Sequence, residues 1–477
     1  MPIYPIRYPI FTNVMDYGAT GNGATDDTAA IQAAINALSS TGGVVFFSPG
    51  TYKISSPLSM ANQGVRLLGT GLRSLIQPSA SFSGANMINI TANFCAVEKL
   101  AIQYANATYS SNPAADAIQI TGASATLIND VYFQAINGWC IQSTATATAN
   151  YNTHLTECRG YQCKQFVHLL GVSASSYAGT NVITNCYGNQ IQNGDCYFFE
   201  DIQDILMTNV FGETAAGSGN VIHIKGACAS TYIENFDLGP YPGPATGAIV
   251  LVEQSANGVP NQIGLCNGVI EGGSSGITLS NGTNFSVRCA KIFNCGTYGI
   301  NITGGDSIVI EGCHFSGNGV TGSSGRYDIQ VAGNHTEIFN CYFNTAQGTT
   351  AGKTNNAINA ISGTTTVINC YFYGTGYNSG NIFAAFPPVI RSCPGYNPVG
   401  STTPPTITAS PCTVGPFAQD YTVYIKGGTI SAVSVGGVAT GISAAAAAGA
   451  VHTIVLPAGL SLTLTYTVSP TWTWFMN

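Results

Sequence analysis

Charge is what this 477-residue chain has least of: Asp, Glu, Lys and Arg make up 7% of it, against about a quarter in an ordinary soluble domain. The 14 Lys and Arg are scattered singly between Arg7 and Lys426, and the net charge is −7. No basic stripe exists for a phosphate backbone, which excludes a nucleic-acid partner. Long apolar runs are missing too. The stretch beyond Lys426 carries no formal charge, but Pro457 interrupts it and Leu460 to Tyr466 alternates with period two. That is strand patterning, so no membrane insertion is expected. Pro2, Pro5 and Pro9 break up the N-terminus, where no secretory apolar core is visible. The chain is therefore expected to be made in a cytoplasm without a signal peptide. The short Cys-x-x-Cys spacing of a zinc site is absent, and no metal or cofactor is expected.

What is abundant is Gly, with 57 residues, alongside Asn, Thr and Ser. These are turn residues, and they recur in a repeat. An aliphatic residue, a spacer, Asn or a substitute, Cys or a small residue and an aromatic pair form phrases such as Thr184-Asn185-Cys186-Tyr187, Phe339-Asn340-Cys341-Tyr342-Phe343 and Ile368-Asn369-Cys370-Tyr371-Phe372. Reference positions 130, 158, 186, 210, 236, 268, 290, 313, 341 and 370 are separated by 22 to 32 residues. Each unit also holds a short alternating strand, as in Ala117–Ile120, Val221–Ile224, Gly276–Leu279, Gly299–Ile302 and Asp328–Val331. Unequal units with a constant inner pattern describe an all-β solenoid, a right-handed parallel β-helix of ten to twelve coils.

The repeat accounts for the odd number of cysteines, 15. Cys158, Cys186, Cys313, Cys341 and Cys370 share a column and read as buried, unpaired small hydrophobes. Cys393 and Cys412 flank a loop outside the repeat and are the best disulfide candidates. Asn129, Asn185, Asn209, Asn235, Asn340 and Asn369 form a second column, expected to hydrogen-bond from rung to rung at a turn.

An open solenoid needs a cap, and Thr25-Asp26-Asp27-Thr28 followed by Ala30, Ile31, Ala34, Ile35 and Leu38 reads as a helix with acidic N-cap oxygens. The stretch from Asn13 to Ile35, with Asp16-Tyr17-Gly18 and Thr25-Asp26-Asp27-Thr28, and then Gly43-Val44-Val45-Phe46-Phe47-Ser48-Pro49-Gly50-Thr51-Tyr52, resembles the entry motif of the pectate-lyase-3-like β-helix superfamily. Phage tail-spike depolymerases, polygalacturonase-like hydrolases and certain fungal glucanases belong to that superfamily. The resemblance concerns a cap, so it implies a fold and leaves activity open; Asp16, Asp26 and Asp27 are expected to be structural. The closing stretch Leu464 to Phe475 resembles the final module of phage tail-fibre and minor tail proteins. The expected organisation is a capping segment over 1–40, the β-helix over 41–386, a Pro/Thr/Ser-rich linker over 387–416 and a small β-sandwich over 417–477.

Chemistry is sought where outward columns gather titratable groups. Aligning the strands around 168, 198, 223 and 253 puts His168, Phe198 and His223 in one column and Glu200, Lys225 and Glu253 in the next, with Asp195, Asp201 and Asp204 in the adjoining turn. Glu200 and Glu253, two rungs and so roughly 9.6 Å apart, suit the spacing of inverting glycoside hydrolysis. A base such as Lys225 or a His beside a uronate would instead give lyase chemistry, and a solvated Glu-Lys-Glu ladder would give none. The candidates are Glu200, Glu253, Lys225 and Asp201 for catalysis, and His168, Phe198, His223 and Asp195 for substrate binding. Glu213, Glu234 and Asp237 lie nearby in sequence, with Glu271, Asp306 and Glu311 on later rungs. Outward Tyr132, Tyr187, Tyr342 and Tyr371 suit either sugar stacking or cross-strand packing.

The reading that follows is a phage tail-spike or tail-fibre protein, a homotrimer in the virion tail beside other tail proteins, that binds and depolymerises, or only binds, a host cell-surface polysaccharide. A secreted polysaccharide hydrolase or lyase is the first rival. A non-enzymatic adhesive fibre is the second.

Overall fold

A computed structural model describes residues 10–38, 42–146, 152–171, 180–215, 219–240, 247–319, 325–344, 356–373, 382–384, 389–393, 404–417, 420–442 and 451–476. The fold is a β-solenoid of about twelve turns with one short helix near the N-terminus and small antiparallel C-terminal sheets. The chain divides into two compact units, Met1–Gly296 and Thr297–Asn477.

In the first unit the helix Thr28–Ala37 buries Ile31, Ala34 and Ile35, the face that 3.6-residue spacing predicts. Its acidic entry works differently from expectation. Asp27 is the N-cap residue but makes no capping bond; its buried carboxylate accepts from Thr20 N at 2.7 Å and Gly21 N at 3.1 Å, pinning the preceding turn. Asp26 takes the capping role through Thr28 N at 3.0 Å. Asp16 is exposed. The solenoid also starts earlier than expected, because Phe11–Asn13 pairs in parallel with Gly43–Phe46, and Asn22–Asp26 pairs with Gly50–Ile54. The segment expected only to cap thus contributes the first strands.

Each following coil gives one strand to a short-stranded sheet and a longer, bent strand to another. In the short-stranded sheet, Ile88, Ile118, Ile141, Val167, Tyr197, Ile222, Val250 and Ile277 stand in one column of pairing partners, and all are fully buried. Every such aliphatic side chain removed from water contributes about 1.5–3 kcal/mol, and the alternate residues are left facing outward. Tyr197 keeps its hydroxyl satisfied inside the column, its single O–H placed between Cys186 O at 3.0 Å and Phe211 O at 3.1 Å.

The bend in the longer strands is made by a residue with positive φ. Lys99, Asp130, Glu157, Asn185, Asn209, Asn235, Asn267 and Cys289 hold φ between 51° and 56° at this position in the first unit, and Gly312, Asn340, Asn369 and Ser392 hold φ between 51° and 62° in the second. Asn tolerates the left-handed region because its short polar side chain can bond locally. Asn209 Nδ2 donates to Asn185 Oδ1 at 3.1 Å, and Asn267 Nδ2 donates to Asn235 Oδ1. The ladder was expected; its membership needs one correction. Asn129 pairs with Thr156, so Asp130 occupies the bend and the repeat's first reference position moves to Val131.

The cysteine column is buried throughout, and none of the 15 cysteines is in a disulfide. Each thiol of Cys158, Cys186, Cys313, Cys341 and Cys370 lies 3.4–3.5 Å from the carbonyl oxygen two residues back. The expected Cys393–Cys412 disulfide is absent. Cys393 repeats the column's geometry, with Sγ 3.2 Å from Arg391 O and 3.8 Å from Val367 O, while Cys412 is packed into the C-terminal core.

In the second unit, parallel pairing runs from Tyr298–Ile302 through Tyr327–Val331 and Asn356–Ala360 to Ile382–Ala384. The expected linker over 387–416 is shorter than predicted: Val389–Arg391 still pairs with Thr365–Ile368, and Cys412–Val414 pairs antiparallel with Leu462–Leu464. Pro387, Pro388, Pro394 and Pro398 lie outside the described residues, as does the N-terminus through Pro9. The tail module consists of two antiparallel sheets, one built around Tyr421–Lys426 and the other around Leu462–Val468. Val423, Ile425, Ile430, Val433, Leu462, Leu464 and Trp474 from both sheets share one buried core.

Candidate functional site

The strands Trp139–Thr144, Gln165–Leu170, Tyr197–Glu200, Ile222–Lys225 and Ala248–Glu253 lie side by side in the first unit. Their pairing puts Gln142, His168, Phe198, His223 and Leu251 in one outward column. Leu170, Glu200, Lys225 and Glu253 form the next. Both columns have the register expected from sequence.

Rung spacing of about 4.8 Å converts the first column into a ring stack. His168 and Phe198 have centroids 4.6 Å apart at 6°, and Phe198 and His223 are 4.5 Å apart at 19°. Trp139 extends the stack from the neighbouring column, 4.8 Å from His168. Sequence alignment missed Trp139 because the residue paired with it is Gln165; only the lean of its side chain brings it over the imidazole. Gln142, also missed, was visible in principle, since Ile141-Gln142 repeats the Val167-His168 pattern one coil earlier.

The two histidines have opposite electrostatics. Burial pulls the His168 pKa down to about 4, against the opposing charge of Asp195. The ring is therefore neutral at pH 7. Gln142 Nε2 donates to its Nδ1 at 3.1 Å, which leaves the ring proton on Nε2. That atom is buried without a hydrogen-bond partner, and Glu200 Oε2 at 3.8 Å is beyond hydrogen-bond reach. His223 also suffers burial, but the hydrogen bond and charge of Asp195, then those of Glu253, outweigh it and raise its pKa. Its Nδ1 lies 2.9 Å from Asp195 Oδ2 and its Nε2 3.1 Å from Glu253 Oε1. Asp195 is fixed in turn by Asn220, whose backbone N at 2.7 Å and Nδ2 at 3.0 Å both donate to Oδ1.

In the charged column Lys225 Nζ contacts Glu200 Oε1 at 3.0 Å. This bond is the largest cause of a raised Lys225 pKa, with the charges of Glu200, Glu253 and Asp201 adding to it against desolvation. The Glu253 side chain is 34% exposed and those of His223 and Asp195 are 13% and 15%, so the Asp195–His223–Glu253 chain runs from the interior outward to Glu253.

The structure brings together seven of the eight candidate residues. Asp201 stands apart in role. It is 4% exposed with φ of 52°, and its carboxylate accepts from Ala227 N at 2.8 Å, Ser255 Oγ at 3.3 Å and Asn257 Nδ2 at 2.5 Å. With its oxygens committed to holding neighbouring turns, Asp201 supports the site and does not face a ligand. Glu213 and Asp237 lie on the bent-strand sheet, half-buried and exposed respectively. Among the described residues no cluster of His, Cys, Asp or Glu could hold a metal ion.

Residues 11–167 match the profile of a family described as rhamnogalacturonase A/epimerase, pectate lyase-like. Short stretches match curated proteins. One is a probable glucan endo-1,3-beta-glucosidase of Arthroderma benhamiae, 37% identical over 93 residues, or 17% of this chain and 10% of that protein. Another is the non-secreted LysM effector LysM19 of Penicillium expansum, 42% identical over 97 residues, or 18% of this chain and 8% of that protein. The chain thus spans a tenth or less of these relatives. Among solved structures, the N-terminal fragment of bacteriophage Phi29 gene product 12 superimposes with a TM-score of 0.61 at 14% identity, covering 80% of this chain and 70% of that one. Bacteriophage CBA120 tailspike protein 3 does so with a TM-score of 0.51 at 12% identity, covering 84% and 65%. The fold is a β-helix, and its residues 11–167 are similar to a pectate lyase-like family.

Proposed function

We propose that the first unit binds an extended polysaccharide along its short-stranded sheet and cleaves it by acid–base chemistry. The observation that carries this reading is the run of five consecutive rungs presenting Trp139, His168, Phe198 with Glu200, His223 with Lys225, and Glu253. A glycan laid along the solenoid axis meets a ring or an ionisable group on every rung, and aromatic faces and charge-assisted hydrogen bonds are both chemistry that sugars use.

In this reading the Nε2 proton of His223, whose pKa Asp195 and Glu253 raise, passes by way of Glu253 Oε1 to the leaving glycosidic oxygen and leaves His223 neutral. Glu200, the partner of Lys225, takes the proton of an attacking water. The backbones of Glu200 and Glu253 are two rungs or about 9.6 Å apart, near the upper end of the roughly 6.5–9.5 Å carboxyl separation of inverting hydrolysis. The likeness to bacteriophage CBA120 tailspike protein 3, and the C-terminal resemblance to tail-fibre modules, support a place in a virion tail. There the chain would be a homotrimer alongside other tail proteins, acting on host cell-surface polysaccharide.

The test is to incubate the protein with capsular, lipopolysaccharide-derived and plant polysaccharides and follow new reducing ends, ultraviolet absorbance of unsaturated uronates and the anomer first released. Reducing ends with inverted configuration and no absorbance are expected. Absorbance would replace hydrolysis with elimination, and binding without cleavage would leave an adhesive surface.

A further inference from the structure

A second feature of the first unit lies on the bent-strand sheet, away from the columns just described. The strands Thr126–Gln134, Arg159–Tyr161 and Tyr187–Ile191 pair so that Tyr132, Arg159 and Tyr187 form one outward column and Gln134, Tyr161 and Asn189 another. Between them is a hollow of about 500 Å³, lined by Tyr132, Arg159, Gly160, Tyr161, Tyr187 and Asn189. That volume suits one small ligand.

Its lining is selective. The Arg159 guanidinium sits 5.7 Å from the centroid of the Tyr187 ring and, among the described residues, has no carboxylate partner. Arg159 is exposed, so its guanidinium is within reach of a ligand in the hollow. Tyr187 is 43% exposed, so its ring offers free π-surface, continued by Phe211 at 6.2 Å. Among the described residues Asn189 Oδ1 is a buried acceptor with no partner, and the pairing beside it shifts register between Gly188 and Ile191, an irregularity of the kind that re-aims side chains beside a site. The sign of the charge then reverses: Glu213 is on the next rung and Asp237 on the one after, with pKa values raised by burial and then by their acidic neighbours. An anion is therefore favoured at the Arg159 rung and disfavoured beyond it.

We infer that this hollow is a binding subsite for a single sugar residue bearing a carboxylate, its ring against Tyr187 and its carboxylate on Arg159. A guanidinium matches a carboxylate with two parallel hydrogen bonds, which a neutral sugar cannot use. The subsite is independent of cleavage on the other sheet and holds an acidic glycan whether or not Glu200 and Glu253 act on it.

Titration calorimetry of the full chain with tetrasaccharides of galacturonate, glucuronate-containing hyaluronan and mannuronate, each beside its carboxyl-reduced form, tests the assignment. At least one acidic oligomer should bind about tenfold more tightly than its reduced form. Arg159→Gln and Tyr187→Ala should each weaken that binding about tenfold, with circular dichroism unchanged because both side chains are exposed, while Lys426→Gln, in the C-terminal sheets, should leave it intact. Arg159→Lys should recover only part of the loss. Equal binding of reduced oligomers, wild-type affinity in Arg159→Gln, an equal loss in Lys426→Gln, or no binding of any acidic oligomer would each overturn the proposal.

Discussion

His168 and His223 sit two rungs apart in one column, yet the pKa of the first is lowered and that of the second raised, because Asp195 and Glu253 lie within hydrogen-bond reach of His223 only. The pH dependence follows from these shifts. His168 is held near pKa 4 against an ordinary 6.5, so between those values the unfolded chain takes up a proton that the folded one refuses. Its contribution, at most about 3 kcal/mol, is present above pH 6.5 and lost as pH falls towards 4. His223 does the reverse: its contribution is present below pH 6.5 and fades as pH rises through its higher folded value. His168→Phe, which keeps the stack, should shrink the drop in melting temperature between pH 7 and pH 5 by a few degrees, and an undiminished drop would mean that His168 charges in the folded state. At the carboxylates, Glu200→Gln and Glu253→Gln should each lower turnover on the cleaved glycan about a hundredfold or more while stability changes by about 0.5 kcal/mol or less. Full turnover in both would move the chemistry elsewhere. The identity of these carboxylates was readable from alternation and repeat length alone. The Asp195–His223 bond was not, since Asp195 lies in a turn 28 residues away whose path no periodicity describes.

At the scale of the element, the bend of each long strand rests on a left-handed residue and, in the middle coils, on an amide ladder. Asn209 combines φ of 54° with the bond to Asn185. Asn209→Ala should therefore cost about 1–2 kcal/mol by adding backbone strain to the lost bond, and Asn209→Gly should cost less because it relieves the strain. Equal losses in denaturation of the two variants would show that φ contributes nothing. The cysteine column beside it makes a second prediction. Thiol reagents should miss Cys158, Cys186, Cys313, Cys341 and Cys370 in the native protein and label all five once it is denatured; labelling without denaturation would contradict their burial. Column membership was legible wherever Asn and Cys recur, and it failed at Asn129, where the bend is filled by Asp130. The reason is physical: the stacked coils hold this bend left-handed whatever residue fills it, Lys99, Glu157 and Cys289 included, so identity is a weaker guide there than register.

For the whole molecule, the proposed tail assembly predicts a solution mass three times that of the chain by light scattering, and a monomer at micromolar concentration would count against it. The amino-acid sequence by itself determined the solenoid, the helix at its entry and the outward columns of the candidate site, because each depends on residues repeating at strand or coil periods. It also determined that Cys186 and its column-mates are hydrophobes. Tertiary structure alone decided four other matters: that Phe11–Asn13 already belongs to the solenoid, that Cys393 joins the thiol column instead of bridging to Cys412, that Asp201 is spent on turns while Asp195 raises the pKa of His223, and that Arg159 stands over Tyr187. Those four are set by turns of unequal length and by the lean of side chains, which carry no period, so they exist only once neighbouring coils are stacked.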